Sequence, residues 1–250
     1  MTASDVTDTY AAQRARDWEA FVAGNGATVD YWKRWEEESF AWKFPIEFLQ
    51  PLGLDSPGVF EPLQPLREAL VQLDEVDVPP LEWLHCTYVR VGFLRAVDIL
   101  WSQVESFYVN ASPRIHRIEP FSLQLGGISV ADDARIYLGV DDGGGYREVR
   151  RQIRLGVPKV YERMREDPLI TTEGDRFIPT LDVGFLTGRG DRRRVVEALE
   201  PFREITLGAV PLTHMKMARV PVQPHDHYVE LDVIAEIPLL GQDYRKGYHN

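Results

Sequence analysis

WLHCTYVRVGF, residues Trp83 to Phe93, is the stretch from which the rest of the chain is read. Its apolar and β-branched residues predict a strand. Side chains alternate across a strand, so Trp83, His85, Thr87, Val89, Val91 and Phe93 share one face and Cys86 turns to the other. An imidazole beside a hydroxyl can pass a proton and hold developing negative charge, two ingredients of phosphoester chemistry. An H-x-T triplet also arises by chance around a packed or surface histidine, so its context decides.

Working outward towards the N-terminus, Pro79-Pro80 sets an extended entry to this strand. Leu66, Ala69, Leu70 and Leu73 predict a helix with Pro65 in its first turn. Phe40, Trp42, Phe44 and Ile46 alternate with Ala41, Lys43 and Pro45 as a first strand, approached through Tyr31, Trp32 and Trp35. Residues 7–23 predict a helix carrying Trp18, Phe21 and Val22 and stopped by Gly24-Asn25-Gly26.

Working outward towards the C-terminus, Leu94, Val97, Trp101, Val104 and Tyr108 form one apolar stripe, so a helix follows the Trp83 strand. Phe121, Leu123 and Leu125 predict a strand, Gly126-Gly127 a turn, and Arg135 to Val140 its partner. A helical run from Tyr146 to about Met164 is interrupted near Gly156-Val157-Pro158. Phe177, Pro179, Leu181, Val183 and Phe185 then alternate with Ile178, Thr180, Asp182 and Gly184 as a half-buried strand. Asp191 can cap a helix carrying Val195, Val196, Leu199 and Phe202. Ile205 to Met217 and Tyr228 to Leu239 predict two strands joined by the loop Pro221 to His227.

A strand–helix unit with a polar triplet near its start thus occurs twice, at 83–108 and 177–203. This predicts a duplicated α+β architecture with two lobes facing each other across a cleft. The expected organisation is a helical N-terminal extension at 1–37, a bilobal domain at 38–240 and a C-terminal tail at 241–250. The 250 residues, 44% of them hydrophobic, suffice for a sizeable core. No apolar run reaches the roughly 18 residues of a membrane span and MTASDVTDTY does not read as a signal peptide, so a cytoplasmic protein is expected. The net charge of −11 opposes long phosphate-tracking grooves but not a small or end-on nucleotide. Arg150, Arg151 and Arg154, with Arg189 and Arg192 to Arg194, read as solvated helix faces. The single cysteine, Cys86, excludes an internal disulfide and reads as a core residue.

With these residues in view, the chain resembles the 2H phosphoesterases, in particular their 2′-5′ RNA ligase-like and cyclic phosphodiesterase branch. The resemblance runs from about Phe40 to Leu239 and is carried by His85-Cys86-Thr87, by PFSLQLGGISVADDARIYLGV from Pro120 to Val140, and by the strand from Phe177. It implies two mainly antiparallel sheets facing a central cleft with helices outside, His85 as acid or base, Thr87 as phosphate anchor, a nucleotide, small phosphoester or RNA end as partner, and neither metal nor cofactor. The family pairs two H-x-T/S triplets on opposing lobes. In FIPTLDVGF, Thr180 stands where the second histidine belongs and Asp182 where the second hydroxyl belongs. A threonine is no general acid near neutral pH, a loss of roughly 10²–10⁴-fold. Three readings follow: a divergent phosphoesterase, a ligand-binding protein on the same scaffold without turnover, or an interaction module.

Other features are weaker. His214 lies on a later strand with threonine before histidine, His225-Asp226-His227 offers two ring nitrogens without a third identified metal ligand, and the sequence names no partner for His116 or His249. Arg189-Gly190-Asp191 reads as a turn before a helix cap, and Gly143 to Gly145 as a loop lacking the Lys-Ser/Thr of a phosphate loop.

Overall fold

A computed structural model of the chain describes residues 3–33, 44–94, 101–141, 143–156, 179–221 and 227–242. Apolar alternation builds two sheets. The four-stranded sheet has the order β3-β1-β8-β9, with β1 at Phe44–Gln50, β3 at Cys86–Leu94, β8 at His214–Arg219 and β9 at Asp232–Pro238. The five-stranded sheet has the order β2-β6-β5-β4-β7, with β2 at Val76–Asp77, β4 at Phe121–Val130, β5 at Arg135–Asp141, β6 at Thr180–Leu186 and β7 at Thr206–Leu212. Each of these pairings is antiparallel. The helices are α1 (Ala3–Ala23), α2 (Leu52–Asp55), α3 (Gln64–Val71), α4 (Trp101–Ile115), α5 (Gly145–Gly156) and α6 (Arg192–Leu199). The expected α+β fold of two antiparallel sheets is observed, and none of the described helices is long and apolar enough to cross a membrane.

Several boundaries differ from expectation. The single strand expected over 205–217 is two: β7 and β8 belong to different sheets, and the chain crosses between them at Thr213. Gly126-Gly127 is no turn but lies inside β4, where the register shifts; the turn is at 131–134, closed by the Ala131 amide donating to the Arg135 carbonyl at 2.8 Å. A Cβ on Gly126 would sit 2.6 Å from the Ile205 carbonyl oxygen, so this glycine permits close backbone approach. In α4 the buried apolar positions are Val104, Phe107, Ala111 and Ile115, while Trp101 is exposed, so the stripe is rotated from the expected one. β1 continues to Gln50, with Ile46 and Phe48 in the core; residues 34–43 and 157–178, which carried part of the expected first strand, interrupted helix and second triplet strand, lie outside the described residues.

Helix α5 fixes the back of β3. Its Tyr146 hydroxyl donates to the Thr87 carbonyl at 2.5 Å, its Arg150 guanidinium donates to the Tyr88 carbonyl at 2.5 Å, and the Tyr88 and Tyr146 rings lie 4.3 Å apart. Arg150 is therefore a buried anchor rather than part of a solvated face. Helix α1 crosses the other sheet. Tyr137 of β5 donates to Asp17 at 2.6 Å, Ser129 of β4 donates to the Arg14 carbonyl at 2.9 Å, and the Arg14 side chain lies over Gly127 and Gly139. Tyr137 and Gly139 pair directly with Asp182 and Thr180, and cross-strand partners share a face. α1 thus covers the same face that carries the second-triplet positions.

The turn that delivers His85 is held against α2: the Gly53 amide donates to the Leu84 carbonyl at 2.9 Å, and a Cβ on Gly53 would fall 1.8 Å from the Leu81 carbonyl oxygen. Gly53→Ala is therefore expected to force this turn away and destabilise the protein by about 1–3 kcal/mol. A urea midpoint equal to that of the native chain would show that this contact does not fix the turn.

Candidate functional site

Trp83 does not begin the strand. Leu81–Trp83 form a short 3-10 turn, and β3 starts at Cys86, so His85 sits at the junction. Its Nδ1 lies 2.5 Å from the Trp83 carbonyl oxygen. A carbonyl only accepts, so Nδ1 carries hydrogen and Nε2 is left for proton exchange. The ring packs edge-on against Trp83 with centroids 4.6 Å apart, and its side chain is 7% exposed. Nε2 is 3.9 Å from the carboxylate of Glu47.

Glu47 has no exposed surface. It accepts a hydrogen bond from Thr87 Oγ1 at 2.5 Å and one from Arg90 Nε at 2.6 Å. Burial pushes its carboxyl up, but Arg90, His85 and the Thr87 hydrogen bond outweigh burial and hold it below the ordinary 4.5. The alternation expected along the Trp83 stretch breaks here: Val89 joins the core, and register shifts in β1 between Ile46/Glu47 and Phe48/Leu49 let Thr87 and Arg90 meet one carboxylate. The side chains of Val91 and Phe93 lie outside the described residues. Cys86 is buried on the opposite side, where burial first and the Asp182 charge second push its thiol up, so it is not a nucleophile at neutral pH.

The five-stranded sheet supplies the second wall. Arg135 Nη1 donates to Asp182 Oδ1 at 3.1 Å and to Thr180 Oγ1 at 3.3 Å, and Arg135 Nε donates to Asp133 at 2.7 Å. Thr180 and Asp182 are thus together, and the Asp182 carboxylate is offset by a guanidinium. The two walls meet through β3 and β6, which touch, and through Tyr31, whose hydroxyl feels both Arg135 and Arg90. Desolvation of Tyr31 nonetheless pushes its hydroxyl up. Trp32 wedges in beside it, packed with Leu49, Trp83, Phe185 and Ala218 from both sheets. The carboxylates of Glu47, Asp133 and Asp182 against the guanidiniums of Arg90 and Arg135 leave one net negative charge when His85 is neutral.

The other histidines lie elsewhere. His214 Nε2 is 3.3 Å from Asp55, beside Lys216. His227 Nδ1 is 2.6 Å from Asp77, and its ring stacks on Trp32 at 4.1 Å. His225, Asp226 and His249 lie outside the described residues, among which no group of three metal-binding side chains occurs. The Arg189-Gly190-Asp191 turn ends in a helix cap, the Asp191 carboxylate accepting from the Arg193 amide at 2.9 Å. Glu47, Arg90, Arg135 and Tyr31 were not picked out from the sequence. One signal was available: Glu47 is a lone acid between Ile46 and Phe48 in a strand that is apolar as far as Leu49.

No family model matches this sequence, and no curated protein matches it. Solved structures do. TT0787 of Thermus thermophilus superposes with a TM-score of 0.60 at 13% identity, over 79% of this chain and 99% of that one. E. coli LigT complexed with NADP+ gives 0.57 at 12% identity, over 79% and 99%. A structure described as a phosphoesterase gives 0.58 at 12% identity, over 79% and 98%. The fold is that of the 2H phosphoesterases. These structures are covered almost completely, while about a fifth of the present chain has no counterpart in them.

Glu47 gives a pH dependence. Its carboxyl is depressed on folding, so its contribution is complete above 4.5 and is lost as the pH falls through the lower folded value. Glu47→Gln is expected to cost about 3 kcal/mol at neutral pH, by leaving Arg90 without its buried carboxylate. In denaturant titrations, the gap between native protein and variant should narrow below about pH 4. A gap independent of pH would rule out an ionised Glu47 in the folded state.

Proposed function

We propose that this protein is a 2H phosphoesterase-like protein that binds a nucleotide or small phosphoester between the His85 and Arg135 walls and cleaves it slowly at most. The observation that carries this reading is the asymmetry of the walls. One presents an imidazole whose tautomer is fixed by the Trp83 carbonyl, and the other presents Arg135, Thr180 and Asp182 in place of a second imidazole. The fold supports the phosphoesterase assignment, and E. coli LigT structures described as complexed with ATP, phosphate and 3′-AMP support nucleotides as the ligand class.

Chemically, His85 Nε2 takes the proton of an attacking hydroxyl or water while the new bond to phosphorus forms. The leaving oxygen must then draw its proton from solvent, because a threonine hydroxyl does not titrate near neutrality. Loss of one positioned acid accounts for roughly 10²–10⁴-fold in rate. The surplus carboxylate charge of Glu47, Asp133 and Asp182 over Arg90 and Arg135 also disfavours a phosphate dianion. Binding with little turnover follows.

Calorimetric titration with 3′-AMP and a turnover assay with 2′,3′-cyclic AMP test this reading. The native chain is expected to bind 3′-AMP, His85→Ala to bind it at least several-fold more weakly, and turnover to be slow and abolished in that variant. Native affinity for 3′-AMP retained by His85→Ala would overturn the assignment of this wall.

A further inference from the structure

Around Glu47 the structure holds the elements of an anion seat that already contains an anion. The Thr87 hydroxyl and Arg90 Nε point at its two carboxylate oxygens from 2.5 and 2.6 Å, and His85 Nε2 stands 3.9 Å away. A hydroxyl has one proton to give, and the Thr87 proton is given to Glu47. A carboxylate that accepts from a guanidinium and a hydroxyl makes the contacts that a phosphate oxygen pair makes elsewhere. From this convergence we propose that Glu47 is an internal competitor for the anion of the ligand, and that it sets how weakly phosphate-bearing molecules bind at His85.

The competition is electrostatic and steric. An incoming phosphoester faces a buried negative charge at close range, in surroundings where such repulsion is poorly screened. It also faces donors that are already satisfied, so it must displace Glu47 or do without Thr87. Affinity is then set by a residue that touches the donors of the seat. A ligand group without negative charge meets no such penalty, so Glu47 favours uncharged over anionic groups on this wall.

This inference rests on the His85 wall being a ligand site, and its test separates the two claims. Melting midpoints and calorimetry with inorganic phosphate and with 3′-AMP are compared, at constant ionic strength, for the native chain, Glu47→Ala and Glu47→Gln. Removing the carboxylate leaves the guanidinium of Arg90 facing the vacated space, which phosphate can fill. Phosphate and 3′-AMP are expected to bind Glu47→Ala at least tenfold more tightly than the native chain, and to raise its melting midpoint further. Adding Thr87→Val to that variant is expected to remove most of the gain. If Glu47→Ala does not fold, Glu47→Gln, which keeps the volume, should still show tighter binding. Affinity unchanged or weakened in a folded Glu47 variant would overturn the proposal, even where the native chain binds 3′-AMP. A gain in the variant with no binding by the native chain would support Glu47 as competitor, while ending the view of the native protein as a nucleotide binder.

Discussion

A carboxylate with no exposed surface must be surrounded by donors or it will not stay ionised, and the donors around Glu47 belong to the strand that carries His85. That requirement shapes the first lobe. β1 and β3 cannot keep perfect register and still bring Glu47, Thr87 and Arg90 to one point, and register shifts appear in their pairing. The back of β3 is then secured by α5, through Tyr146 and Arg150, which bind the carbonyls of Thr87 and Tyr88. The triplet is therefore clamped from both sides, by a buried ion pair in front and by two side-chain hydrogen bonds behind.

The second lobe satisfies the same physical demand with different residues. Asp182 and Thr180 stand on β6, and Arg135 reaches them from the neighbouring β5 while also holding Asp133. A guanidinium spreads its charge over several nitrogens and can serve several acceptors at once, which an imidazole cannot. The carboxylate at Asp182 is tolerable on a cleft wall because Arg135 offsets it. A guanidinium is permanently charged, so it holds its acceptors without passing a proton near neutral pH.

Much of this was legible in the sequence. Most of the strand–helix order, the Asp191 cap and the His85-x-Thr87 pair follow from periodicity and spacing, while the two sheets and the Thr180-x-Asp182 pair come from the family resemblance. What was not legible depends on partners distant in the chain. Gly126-Gly127 reads as a turn, yet it is glycine because the Ile205 backbone and the Arg14 side chain press against it. The true turn, Ala131 to Ala134, contains no glycine and places Ala134 at a φ of 76°; its one local signal is Asp132-Asp133, which the glycine pair upstream outweighs. Strict alternation through Trp83 to Phe93 failed because a 3-10 turn and register shifts reset the period. Glu47 lies 40 positions from Thr87 in sequence, and only pairing of β1 with β3 brings them together.

The N-terminal segment adds a constraint that the strand pattern alone does not contain. In an open two-lobed scaffold the face carrying Thr180 and Asp182 would meet solvent; here Arg14 and Asp17 of α1 lie along it, bonded to Ser129 and Tyr137. Tyr31 and Trp32 follow, with Trp32 donating to Asp77 at 2.7 Å and packing among residues of both sheets. Each contact is modest by itself, about 1 kcal/mol for a typical hydrogen bond, but together they join the two sheets. The spacing of the His85 and Arg135 walls is therefore set by the protein's own aromatic side chains. The Tyr31 hydroxyl feels the guanidiniums of both Arg135 and Arg90, so one aromatic side chain couples the charged groups of the two walls.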